Sequence, residues 1–122
     1  MLLTGVVLGA FAAHGLESKL SAEKLASFEV GVRYQMYHGI ALLALAALLP
    51  HRDQGVQICY RFISWGVLLF SGSIYILALS ELFMPNLGKY LWPVTPLGGV
   101  LLILAWGLLC WHQLKPNKSI ES

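Results

Sequence analysis

The run Phe62-Ile63-Ser64-Trp65-Gly66-Val67-Leu68-Leu69-Phe70-Ser71-Gly72-Ser73-Ile74-Tyr75-Ile76-Leu77-Ala78-Leu79 carries no charged side chain and is bracketed by Arg61 and Glu81. As an α-helix it extends roughly 27 Å, close to the ~30 Å hydrocarbon core of a bilayer. The rest of the chain has the same character. Of its 122 residues 57% are hydrophobic and 11% charged, and the mean hydropathy is +0.70. A soluble domain carries roughly a quarter charged residues, so there is too little polar surface here to face water all round. The formal net charge of +2 is scattered. No basic cluster marks a nucleic-acid surface, and no polybasic run marks a headgroup site. Cys59 and Cys110 form no CxxC pair and read as packing residues.

Working outward from this run, three more apolar blocks emerge. Residues 1–16 form a short first span with no preceding Lys or Arg, so the positive start of a signal peptide is missing. Gly5 and Gly9 make a GxxxG, the small-residue spacing that lets membrane helices approach closely. Ser21 reads as an N-cap with Glu23 in the first turn, and Leu20 with Leu25 as a hydrophobic staple. Leu25, Phe28, Val32 and Met36 follow at helical spacing. Nothing breaks the chain before the apolar block 40–49, so one long helix is predicted, interfacial at its start, spanning over 34–49 and ending at Pro50. Residues 51–57 read as an exposed loop, and Pro85 to Pro93 as another, with Tyr90 and Trp92 at the headgroup level. Thr95 reads as the N-cap and Pro96 as the first residue of a last span over 96–111. Residues 115–122 read as a polar tail. The expected fold is an all-α integral membrane four-helix bundle, a single domain over 1–114. Its termini share one side; the Lys and Arg residues divide four against four between the two faces, and the free amino terminus, with Arg33 inside a helix rather than a loop, tilts that side to the cytoplasm.

Ionisable groups near lipid are costly, so each invites a reason. Glu29 and Arg33 are four apart in the favourable acid-first order and read as a structural pair. Tyr34, Tyr37 and His38 share that helix. His38 is expected to hydrogen-bond inside the bundle with Ser71, Ser73 or Tyr75 of the third span, whose hydroxyls can glue helices together. His14 and His38 could ligate a metal or haem only if they converge in space, and neither HExxH nor a third spaced ligand accompanies them. No GxSxG marks a nucleophile. Thr95, Pro96, Gly98 and Gly99 form a helix-start motif, either a tight packing site or an anion site on free backbone N–H groups.

Four stretches together resemble a known family: Gly9-Ala10-Phe11-Ala12-Ala13-His14-Gly15-Leu16, Phe28-Glu29-Val30-Gly31-Val32-Arg33-Tyr34-Gln35-Met36-Tyr37-His38, Phe70-Ser71-Gly72-Ser73-Ile74-Tyr75 and Thr95-Pro96-Leu97-Gly98-Gly99. They are similar to the signature blocks of the YgdD-like family, domain of unknown function 423, small bacterial inner-membrane proteins with eukaryotic relatives. Members have a longer lead-in before the first glycine block, and Ala12 stands where they have glycine. The resemblance implies a fold and a location in the bacterial inner membrane but no activity. Three functions compete. One is a non-enzymatic structural, assembly or homeostasis component, partnered by lipid and by a homo-oligomer or larger complex. The others are an oligomeric transporter or channel subunit, and a cofactor or metal carrier using His14 and His38. No cofactor is expected under the first.

Overall fold

The computed structural model describes residues 1–48 and 53–114, and every regular element in them is helical. Helix α1, Leu2–Phe11, runs into a π-helical turn, Ala12–Leu16. Helix α2 is Ala22–Leu48, α3 is Gln54–Phe83, α4 is the single turn Gly88–Leu91, and α5 is Val94–Leu114.

The start of α2 is the one read from sequence. Ser21 Oγ accepts from the Lys24 backbone N–H at 3.4 Å. Leu20 and Leu25 pack into one cluster with Ala12, Leu16, Phe28 and Ala78, so the staple closes against α1 and α3. The expected end at Pro50 lies outside the described residues, as do His51, Arg52 and the tail 115–122.

Four boundaries differ from expectation. Residues 54–57 are helical rather than loop, because Asp53 is an N-cap: its carboxylate accepts from the N–H of Gly55 at 2.8 Å and of Val56 at 3.2 Å. Helix α3 then continues past Leu79 and stops at Phe83, where Met84 leaves the helical region (φ −149°, ψ 77°) ahead of Pro85. The expected loop from Pro85 to Pro93 is mostly helical turns, a 3₁₀ turn at Pro85–Leu87 followed by α4. Thr95 does not cap α5, which starts one residue earlier at Val94, with the Leu97 N–H bonded to the Pro93 carbonyl at 3.3 Å. Thr95 turns its hydroxyl to Ser73 Oγ, 2.6 Å away across the α3–α5 interface. Pro96 is tolerated as the third helical residue because first-turn N–H groups have no partner within the helix.

Neighbouring helices run antiparallel. Gly5 and Gly9 of α1 face Met36 and Val32 of α2, so the GxxxG is a packing face as read. Phe28 and Tyr34 of α2 meet Tyr75 and Phe70 of α3. Gly66 of α3 faces Leu102 of α5, and Gly98 of α5 faces Phe70. A second apolar cluster, Leu42, Ile63, Val67, Leu102 and Ala105, fills the other end. Helix α3 therefore sits at the centre, held by α2 and α5. Two helical stretches, Gln54–Phe83 and Gly88–Leu114, are long and apolar enough to cross a membrane, and Leu2–Leu16 is a shorter apolar helix. Large apolar side chains such as Leu3, Trp65, Ile103 and Trp111 point outward, as lipid-facing residues do.

Candidate functional site, a buried polar layer

The buried face of α2 is the row Phe28, Gly31, Gln35, Gly39 and Leu42. Its centre is an amide. Gln35 is 7% exposed, and a buried amide without partners is costly. Its Nε2 donates to the Met1 carbonyl and to Thr4 Oγ1, both at 2.8 Å, and its Oε1 accepts from the Tyr75 hydroxyl at 2.8 Å. The Thr4 hydroxyl in turn donates to the Met1 carbonyl at 2.8 Å. One side chain thus joins α1, α2 and α3. Gly31 makes room for it, because a Cβ there would lie 2.8 Å from Tyr75 Cε1, and Phe28 packs on the Tyr75 ring at 4.7 Å.

Sequence reasoning named Tyr75 but passed over Gln35 for its more reactive-looking neighbours. The signal was present: Gln35 lies four residues from both Gly31 and Gly39, so small residues flank an amide on one helix face.

The hydroxyls of α3 do not go to His38. Ser73 bonds the Phe70 carbonyl at 2.9 Å and Thr95 at 2.6 Å. Ser71 is 1% exposed, and its hydroxyl has no hydrogen-bond partner among the described residues. His38 instead places Nδ1 2.8 Å from the Tyr34 carbonyl, one turn back in its own helix. A carbonyl only accepts, so Nδ1 donates, and Nε2 has no hydrogen bond among the described residues. A bond to a neighbouring backbone group needs no second helix in register, which is why it wins over a cross-helix bond. The His38 ring lies 5.9 Å from Tyr34 and 6.1 Å from Trp106, beside a groove of about 460 Å³ that Phe70 and Leu102 also line.

The remaining candidates scatter. His14 is exposed on the π-helical turn, whose neighbours Ala12 and Leu16 pack at the level of Phe28. His38 is ten residues further along α2, roughly 15 Å by helical rise, so the two histidines do not converge. Among the described residues no three His, Cys, Asp or Glu side chains cluster as metal ligands would. Glu29 and Arg33 are both exposed, and no hydrogen bond or ion pair joins them. Tyr37 is 63% exposed. Within the helix-start motif Gly98 packs against α3, where a Cβ would overlap the Phe70 backbone nitrogen. Gly99 is in ordinary contact with the Phe70 ring.

A further polar tie was not read from sequence. His112 Nε2, at the end of α5, lies 2.9 Å from Asp53 Oδ2 at the start of α3. The hydrogen bond from His112 and those from the Val56 and Gly55 N–H groups hold the Asp53 carboxyl below its ordinary pKa.

A helical bundle with an apolar exterior, two membrane-length helices and, among the described residues, a single buried side-chain amide spent on joining helices is a polytopic membrane protein. The chain belongs to the family described as Protein of unknown function (DUF423), whose model matches residues 8–99. It is 41% identical over 107 residues to a UPF0382 membrane protein of Staphylococcus saprophyticus, covering 88% of this chain and 84% of that one. It is 39% identical over 117 residues to a UPF0382 membrane protein of Haemophilus influenzae, covering 94% and 87%. The UPF0382 inner membrane protein YgdD of Escherichia coli is 38% identical over 109 residues, covering 85% and 76%. No solved structure matches the chain.

Proposed function

We propose that this protein is a non-enzymatic component of the bacterial inner membrane that works through helix contacts within the bilayer, as a structural or assembly subunit. The supporting observation is the use made of Gln35. Both amide atoms and the Tyr75 and Thr4 hydroxyls bond one another and the Met1 carbonyl. These buried polar groups therefore tie helices together and present nothing to a substrate. The chain then offers its partners chiefly the outer faces of its helices.

The test is in-membrane cross-linking followed by mild-detergent purification and mass spectrometry, run beside solute flux in proteoliposomes. A stoichiometric partner or self-assembly, with flux at the level of empty liposomes, is the expected result. Saturable flux would replace this reading with the transporter one.

A further inference from the structure

The inference concerns the groove beside His38; it goes beyond the proposed function and does not rest on it. Helices α2 and α5 both run antiparallel to α3 and leave about 460 Å³ between them. The wall is an unbroken arc of rings. Between ring centres, Phe70 lies 4.7 Å from Tyr34, Tyr34 stacks 5.9 Å from His38, and His38 is 6.1 Å from Trp106. Gly99 adds wall without a side chain, and Ile103, 73% exposed, stands on the side open to lipid. Depth follows from α5, whose uncharged residues 94–111 rise roughly 27 Å, close to a hydrocarbon core. Gly98 packs on Phe70, and Phe70 on Tyr34. Tyr34 is therefore level with Gly98, roughly 6 Å inside the start of α5, and His38 is one turn deeper, roughly 12 Å inside. Water is scarce there. The donor of His38 is spent, since Nδ1 bonds the Tyr34 carbonyl, so Nε2 carries a lone pair with no donor among the described residues. An acyl chain has no donor to offer, so ordinary lipid leaves that nitrogen unsatisfied, at a cost.

We propose that this groove binds a membrane-soluble aromatic alcohol of the quinol class: a flat ring bearing hydroxyl groups on a long apolar tail. One ring hydroxyl donates to His38 Nε2. The ring lies among Tyr34, Phe70 and Trp106, whose faces and edges favour a flat π-system over a saturated chain. The tail leaves past Ile103 into the bilayer. Charge selects in the same direction. The groove is lined by no Lys, Arg, Asp or Glu, so it takes a neutral head rather than a phosphate or a carboxylate. A mostly apolar site with one or two polar groups that fix orientation is the usual form of a small-molecule pocket, and the volume is within the usual range. The oxidation state of the ligand follows from the lone pair. The carbonyl oxygens of a quinone only accept, as Nε2 does, so the site holds the reduced form. Binding alone is proposed, with no electron transfer.

The test measures equilibrium binding of a radiolabelled, decyl-tailed benzoquinol to the full chain in phospholipid nanodiscs. Saturable binding, one probe per chain, is the expected result. The dimethyl ether of the probe keeps ring and tail but has no donor, and it should bind about tenfold more weakly, as should the oxidised quinone. His38→Leu should lose the same factor for the quinol and no longer tell quinol from ether. His38→Gln keeps an acceptor and should retain most of the affinity. A second variant does not touch the imidazole. A Cβ at Gly99 meets only the Phe70 ring, at 3.7 Å, so Gly99→Leu should fold with wild-type helix content by circular dichroism, fill the groove and abolish binding. Equal affinity for quinol and ether, or undiminished binding to His38→Leu or to Gly99→Leu, overturns the proposal. Non-saturable uptake by every variant means that ordinary lipid fills the groove, and overturns it too. A disulfide dimer through Ile103→Cys, in a chain with Cys59 and Cys110 replaced by alanine, would put a second copy there instead of a ligand. The assembly role rests on Gln35 and on the flux measurement, and stands or falls separately.

Discussion

Replacing Gly98 with alanine adds one methyl group where α5 touches the backbone of α3. The new Cβ would overlap the Phe70 nitrogen and sit 2.8 Å from its Cα and 2.9 Å from the Leu69 carbonyl carbon. These are main-chain atoms in mid-helix and have no rotamer to yield, so the helices must part by about 1 Å to restore van der Waals separation. Overpacking of this kind costs about 1–3 kcal/mol. The Ser73–Thr95 hydrogen bond, 2.6 Å long and one turn away, stretches beyond bonding distance and removes about 0.6 kcal/mol more. Alanine returns up to about 1 kcal/mol through its better helix propensity, so the net loss is about 1–3 kcal/mol. Gly107→Ala is the control, because nothing lies within 4 Å of its added Cβ, and it should be neutral or slightly stabilising. Unfolding by sodium dodecyl sulfate in mild detergent, followed by circular dichroism, measures both. If Gly98→Ala unfolds at the same detergent fraction as the wild type, close approach of the two backbones is not what holds α5 to α3.

Gln35→Leu should cost about 1–3 kcal/mol in the same assay, since it strips the Tyr75 and Thr4 hydroxyls of a partner; Tyr75→Phe in that background should recover part of the loss. Asp53 has a depressed folded pKa, so its contribution is present above the ordinary carboxylate pKa and lost as pH falls through the folded value. The acid limb of the stability profile should therefore flatten in Asp53→Asn, and an unchanged limb would deny the cap that role. The up-down-up-down order of α1, α2, α3 and α5 points the start of α1 and the end of α5 the same way. Reporter fusions at Met1 and Ser122 should agree, with the cytoplasm as the expected side; opposite results would remove one crossing.

Patterns that depend on local geometry were readable in the sequence. The Ser21 cap, the Leu20–Leu25 staple and the Gly5–Gly9 face each rest on residues five or fewer apart, and all three stand in the structure. The polar partners were harder, because they are chosen between helices. Tyr75 finds Gln35 forty residues away and Ser73 finds Thr95 twenty-two away, and register across an interface is not written in either helix alone. His38 erred in the opposite direction: a cross-helix bond was expected where a local carbonyl was already in reach. Asp53 was hidden by composition, since an Asp and a Gly among polar residues look like a turn until the helix they start is seen.

The placement of the polar ties also sets how the bundle breathes. Ser21–Glu81 at one end and Asp53–His112 at the other are reachable by water, which competes for every donor and acceptor there. The Gln35 amide is shut away from it. Opening should therefore begin as fraying from both rims and halt at the central layer. Amide hydrogen exchange would then show a gradient along each of α2 and α3, fast in the end turns and slowest around Gln35 and Tyr75, with those central amides released only when the bundle comes apart as a whole.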